Sequence, residues 1–346
     1  MPDKPLQDKQ ARVERLRLLG RVTSRGDGQA LETLNSTTLL DVVELSIANK
    51  VLLLLCDNVR LDNAPPAALR GICSEQFRRK KQCYAILTSL SKLAGATNID
   101  ILIIKTIRPF PYVGSDIDVI VASTEAFARF VDLLVASGYH ILGRSAHEVT
   151  LQAPFEGIVL VDVHCDISAA GMVYLDKAVL WNGTATVDLD GHSVRVPGPE
   201  AELLLLAAHS VFKELSVTLA DFLQAQYLAA HVDWRTVHSM ARAEHLTLAL
   251  CAFMSAMDNI NLLLYNASLD YPELSLQSHL IDRDRLRALV TRDFCNKLRL
   301  PYRFSTWIVA AAYVNKYQST PTEVLNFSVG RHAASTLKHH FLGKGD

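Results

Sequence analysis

The sequence predicts an α+β chain: a small mixed β-sheet core flanked by N-terminal and C-terminal helical regions. Three observations carry this. Hydrophobic residues make up 49% of the 346 positions, enough for a sizeable core. The texture is helical up to about Ala94, switches at Thr97 to short β-branched runs, and returns to helical after Pro197-Gly198-Pro199. Strands and helices never alternate in a long βαβ series, so a large doubly wound parallel sheet is excluded. The expected divisions are an arm and helical region over 1–96, a strand-rich core over 97–197 and a helical region over 198–346.

In chain order, residues 1–27 are polar and are expected to form a frayed or loosely docked arm. Leu-rich helical segments follow at Leu39–Cys56 and Phe77–Leu93, separated by the breaker Asn63-Ala64-Pro65-Pro66, with Ser74 as an N-cap of the second. Ile99–Ile104 reads as a buried strand, followed by the Pro-rich loop Arg108–Ser115 and a second strand, Asp116–Val121. Thr124 is expected to cap a helix with Phe127, Phe130, Val131, Leu134 and Val135 at helical spacing, ending at Gly138. Extended pieces recur at Tyr139–Leu142, Glu148–Gln152 and Ile158–Asp166. Runs at Thr184–Leu189 and His192–Val196 flank Asp190-Gly191, a strong hairpin signal. Helices over Glu200–Glu214, Leu219–His231 and Leu246–Leu264 follow, the last Met- and Leu-rich and expected in the core.

Bulk properties narrow the function. With 35 Lys+Arg against 36 Asp+Glu, the chain has no general charge for holding nucleic acid or an anionic membrane. The cations Arg78-Arg79-Lys80-Lys81 spread around a helix and read as a solvated face. The six cysteines form no C-x-x-C pair, and His339-His340 has no partner at ligand spacing. The charged N-terminus lacks an apolar core, and no apolar run approaches the length of a membrane helix, so a cytoplasmic location is expected.

The chemistry concentrates in Gly114-Ser115-Asp116-Ile117-Asp118-Val119-Ile120-Val121. Alternation puts Asp116 and Asp118 on one side of a strand and the apolar residues on the other. Alone, the pair is equally accounted for by a loop cap and a solvated strand edge. A second strand, Val159–Asp166, places Asp162, His164 and Asp166 on one face and Val161, Val163 and Cys165 on the other. If it lies beside the first, three carboxylates converge. Such a group repels itself unless a hard cation such as Mg²⁺ sits among them, the arrangement of two-metal phosphoryl transfer.

A strand and turn, a gap of about ten residues, Ser115-Asp116-Ile117-Asp118-Val119 and a later lone Asp162 together resemble the nucleotidyltransferase superfamily. Val161-Asp162-Val163-His164, the Asp190-Gly191 hairpin, Pro199-Glu200, and then His209 and Lys213 are similar to a branch of uncharacterised bacterial and archaeal nucleotidyltransferase-like proteins. The resemblance covers about Ile99 to Leu228. It implies that Asp116, Asp118 and Asp162 hold Mg²⁺ or Mn²⁺, with Asp162 taking the acceptor proton. Lys213, with His209 four residues before it, would contact a triphosphate. The superfamily usually has Gly-Gly or Gly-Ser after the first strand; here Lys105-Thr106 stands there, offering charge and a hydroxyl in place of bare backbone. Arg108, Ser115 and Tyr112 are further candidates for phosphate and base. The implied activity moves an NMP from an NTP, ATP first, to a hydroxyl or phosphate of a small molecule, releasing pyrophosphate. Two alternatives stay open: a nucleotide-binding or interaction module with weakened catalysis, and a toxin-like enzyme modifying tRNA or protein.

From Ile99 to Asp166 there are nine acidic and four basic residues. Overall neutrality thus averages an acidic strand region with mildly basic helical flanks.

Overall fold

The structure, a computed structural model, describes residues 4–25, 36–61, 67–154, 159–169, 171–189, 191–272 and 281–317. The stretch expected as a loose arm is instead helix α1 (Lys4–Arg25). Leu16, Leu19 and Val22 recur at three-residue spacing and are withdrawn from water in the main core. Each such burial is worth roughly 1.5–3 kcal/mol, enough to dock a mostly polar helix. Gly20 lets α1 approach its neighbour, since a Cβ there would lie 3.0 Å from Leu264.

The Leu-rich segment that follows is two helices, not one: α2 (Ser36–Ala48) and α3 (Leu52–Leu61). They break at Asn49-Lys50, where Lys50 is left-handed with φ +58°. Helix α4 (Ala67–Thr97) runs through Ser74, so that residue lies inside a helix and caps nothing. The breaker at Asn63–Pro66 falls outside the described residues, as does His339-His340.

Strands β1 (Ile101–Ile104) and β2 (Asp116–Val121) pair antiparallel. Helix α5 (Thr124–Ala136) follows; its N-cap is Ser123, whose hydroxyl accepts from the Ala126 N–H, not Thr124. Strands β3 (His140–Arg144), β4 (Glu148–Gln152) and β5 (Leu160–His164) complete a mixed sheet in the order β1-β2-β5-β4-β3, with β2 and β5 parallel. Alternation gives the sheet two unlike faces. Ile101, Ile103, Ile117, Val119, Val149, Leu151, Val161 and Val163 pack with Phe130, Val131 and Leu134 of α5 and with Ile86, Leu87 and Leu90 of α4. The other face carries Leu102, Ile104 and Ile120 into the main core and presents the polar residues of β2, β4 and β5.

The hairpins β6 (Ile167–Ala169)–β7 (Met172–Leu175) and β8 (Ala185–Leu189)–β9 (His192–Val196) flank the short helix α6 (Ala178–Trp181). The second hairpin is the expected one; Asp190 is outside the described residues, and Gly191 has φ +83°. Helix α7 (Pro199–Phe212) starts with Pro at its first position and Glu200 and Glu202 in its first turn, which suits its positive end. A Cβ on Gly198 would meet the Gly183 carbonyl oxygen at 2.1 Å, so only glycine can lead into it.

Nearly all of α7 is buried beneath α8 (Leu219–Ala229), α9 (Trp234–Ala243) and α10 (Thr247–Tyr265). By length and composition α10 could cross a membrane, yet it is enclosed by protein on almost every side. Helices α11 (Arg283–Lys297) and α12 (Thr306–Tyr317), with the small ladder β10 (Ser216–Val217)–β11 (Tyr302–Arg303), close the described chain. Residues of α1–α4 and of α7–α12 belong to one continuous apolar cluster.

Candidate active site

Parallel pairing of β2 and β5 places Asp118 opposite Asp162, and antiparallel pairing of β4 places Thr150 opposite Asp162. Asp116, one side-chain repeat before Asp118, shares their face. One oxygen from each of Asp116, Asp118 and Asp162 lies within 4.8 Å of the others. The convergence expected from two alternating strands is therefore present.

Three carboxylates this close need compensation, and the chain supplies it unevenly. Asp118 Oδ1 receives the Lys105 ammonium at 2.8 Å and His164 Nε2 at 2.8 Å. Burial alone would raise the Asp118 pKa, but these two cations hold it far below the usual range. Burial would likewise lower the His164 pKa, yet hydrogen bonds to Asp118 and Glu148 raise it. His164 Nδ1 lies 3.2 Å from Glu148, which in turn meets Lys213 at 3.4 Å. Bonded to His164, Glu148 titrates down at about 2. Lys213, Glu148, His164, Asp118 and Lys105 thus form one row of alternating charge.

Asp162 stands outside that row. Its Oδ1 is buried and has no hydrogen-bond partner. Burial raises its pKa, the Thr150 hydroxyl opposes the rise, and the charges of Glu148, Asp118 and Asp116 add to it. Asp116 is half-buried and accepts from the Ser115 hydroxyl at 3.0 Å. Hard oxygen donors at this spacing, one of them unpartnered, fit a divalent cation of the Mg²⁺ type and not a soft metal.

Other sequence candidates are engaged by partners within the chain. Lys105 takes the left-handed conformation, φ +57°, at the turn where the superfamily has glycine, and its side chain turns back onto Asp118. The Thr106 hydroxyl accepts from the Asp118 N–H and donates to the Ile104 carbonyl, so it holds the strand end. Arg108 is buried, bonded to Asp221 at 3.0 Å and to the Ala220 carbonyl at 2.7 Å, with Tyr112 stacked 4.5 Å away. It ties the β1–β2 loop to α8. His209 and Lys213 have different partners within the chain, Lys213 meeting Glu148. His209 lies between the Tyr174 hydroxyl, 3.0 Å away, and Glu214, and burial lowers its pKa to about 4, leaving it neutral. Asp166, expected beside Asp162, lies past the end of β5 and pairs with His147 at 3.0 Å.

Residues 36–259 match the model of a family described as an uncharacterised nucleotidyltransferase. The chain belongs to that family. Among solved structures, it is similar to an antigenic nucleotidyltransferase-like protein from Paracoccidioides brasiliensis, with 14% identity over 65% of this chain and 95% of that one and a TM-score of 0.28. No curated protein matches it. In this nucleotidyltransferase-family member, Asp116, Asp118 and Asp162 can hold a metal ion.

Sequence reading missed Glu202, which reaches from the first turn of α7 to the Lys105 backbone N–H. Burial raises its pKa to about 7, against the attraction of Arg108 and Lys105. The folded state therefore binds its proton more tightly than the unfolded chain does. Stability falls as pH rises from the ordinary value of 4.5 through about 7, and the loss is complete above that. Glu202→Gln removes this titration. Its unfolding free energy from urea titration should exceed that of wild type at pH 8 but not at pH 4, by up to about 3 kcal/mol.

Proposed function

We propose that the protein is a divalent-metal-dependent nucleotidyltransferase. It moves an NMP from an NTP, ATP in the first instance, to a hydroxyl or phosphate acceptor and releases pyrophosphate. The observation that carries this reading is the Asp116/Asp118/Asp162 cluster with its buried, unpartnered Asp162 oxygen. Those three carboxylates would hold Mg²⁺ or Mn²⁺, which when bound neutralises phosphate charge and acidifies an acceptor hydroxyl.

The remaining chemistry falls to the chain. The acceptor oxygen forms a bond to the α-phosphorus as the bond to the β-phosphate oxygen breaks, and pyrophosphate leaves. Asp162 Oδ1 is the free acceptor for the hydroxyl proton. His164, pinned by Glu148, fixes the orientation of Asp118. Lys105 supplies positive charge at the same oxygen.

A second reading, nucleotide binding without efficient transfer, is favoured by one observation: Asp118 Oδ1 already has two cationic partners. Pyrophosphate release from ATP with Mg²⁺ and a panel of hydroxyl- and phosphate-bearing acceptors separates the two. Wild type should turn over, and Asp162→Asn should lose on the order of 100-fold or more. Because Asp162 supports no ion pair, that variant should unfold at the same urea concentration as wild type, or later. Equal turnover by both proteins would exclude the role given to Asp162, and binding without turnover would favour the second reading.

A further inference from the structure

A cleft of about 420 Å³ opens beside Asp116, lined by Lys50, Gln76, Arg79, Tyr112 and Ser115 as well as Asp116 itself. We propose that it is a phosphate-binding subsite, in which Arg79 and Lys50 hold a phosphate group of the substrate next to the carboxylate cluster. The inference rests on the nucleotidyl-transfer reading for its position, but its chemistry is independent of turnover.

Beside apolar Ile47, Leu52, Leu53 and Val113, the lining offers an ammonium, a guanidinium, an amide, a phenol and a hydroxyl against one carboxylate. That carboxylate belongs to the proposed metal site, where its charge is already assigned. The two cations come from unrelated elements, the left-handed turn between α2 and α3 and the middle of α4, and converge on one space. Lys50 makes a long ion pair with Glu214, 3.9 Å away. Among the described residues Arg79 has no carboxylate within salt-bridge distance. Arg79 gives one N–H to the Gly114 carbonyl at 3.0 Å, while its Nε is buried without an acceptor. A buried N–H left unpaired is costly, and an incoming phosphate oxygen would give it a partner. The planar guanidinium fork suits two such oxygens. A cation would meet two like charges here, and an apolar ligand would strand the donors.

The phosphate can belong to the nucleotide or to a phosphate-bearing acceptor, and calorimetric titration distinguishes them. Wild type, Arg79→Gln, Arg79→Lys, Lys50→Gln and Ile47→Glu would each be titrated with pyrophosphate, with ATP plus Mg²⁺, and with glycerol 3-phosphate. Ile47 lines the cleft and is 56% exposed, so a glutamate there adds repulsion without disturbing the core. An unchanged thermal midpoint for Ile47→Glu checks this. At least one probe should lose tenfold or more in affinity in both Arg79→Gln and Ile47→Glu, with partial retention in Arg79→Lys. Loss of the pyrophosphate and ATP signals assigns the subsite to the nucleotide; loss of glycerol 3-phosphate alone assigns it to the acceptor. The proposal is overturned if no probe binds wild type, or if every affinity is the same in all variants. That outcome alongside active pyrophosphate release would leave nucleotidyl transfer standing, whereas variant-sensitive binding without turnover would leave only the subsite.

Discussion

Asp118→Asn is expected to destabilise the protein by about 3–5 kcal/mol and to remove nucleotidyl transfer altogether. The size of the stability effect follows from what the carboxylate does before any substrate arrives. Its Oδ1 takes both the Lys105 ammonium and His164 Nε2 at 2.8 Å, in a place where all three side chains are largely buried. An amide offers one uncharged acceptor in return, leaving the buried Lys105 ammonium and the His164 ring without their anion. The wild-type contribution has a definite pH window. A carboxylate with a depressed pKa stabilises the fold above the ordinary carboxylate range and loses that effect only as pH falls towards the folded value. Urea denaturation at pH 7 measures the cost. In the cycle with Lys105→Met, the double variant should be less damaged than the sum of the singles, because the stranded ammonium has gone. A difference under 1 kcal/mol between Asp118→Asn and wild type would show that the row of alternating charge is not a stabilising element. The contrast with Asp162→Asn is informative: the two aspartates stand opposite each other, yet only one is tied into the fold.

Arg108→Met should cost a similar amount, about 3–5 kcal/mol, for a related reason. The Arg108–Asp221 pair is buried on both sides, with side chains 7% and 10% exposed. Removing the guanidinium also breaks its bond to the Ala220 carbonyl and its contact with the Tyr112 ring. Asp221 would keep only the Thr218 hydroxyl and N–H of its capping box. The loop released by this change ends at Gly114-Ser115-Asp116, so the position of one carboxylate depends on a contact more than a hundred residues away in sequence. Chemical denaturation of Arg108→Met and of Arg108→Met/Asp221→Leu tests the mechanism. The double variant should recover part of the loss, since an apolar pair replaces an unpaired buried charge.

The α+β layout was legible because it depends on texture: β-branched runs between 97 and 197, Leu-rich helical segments outside them. The carboxylate cluster was legible for a stronger reason. Strand alternation fixes which residues share a face, so Asp116, Asp118 and Asp162 could be grouped once the two strands were taken as neighbours. Side-chain destinations were less accessible. Lys105 and Arg108 are long cations in a loop, and whether each meets a phosphate or an internal aspartate depends on tertiary partners. Asp221 lies 113 residues from Arg108. His209 misled because α7 is apolar nearly all round. On such a helix the spacing to Lys213 says nothing about which side meets water. The docking of α1 escaped notice since Leu16, Leu19 and Val22, set among other scattered aliphatics in a mostly polar stretch, give only a weak periodic signal. Glu202 left no signal beyond its place in a helix's first turn, where acidic residues are common.

The packing of α1 against α10 has a consequence for synthesis. More than two hundred residues separate the two helices, so α1 waits on the ribosome's later output for part of its final packing. At about 5–20 residues per second, Leu16, Leu19 and Val22 remain without their final partners for roughly 10–50 s. During that interval an early, partly apolar helix stands ready for any other apolar surface it meets. Helices α2 and α3 can cover part of α1 early, but the seat of α1 is finished only once α10 is complete.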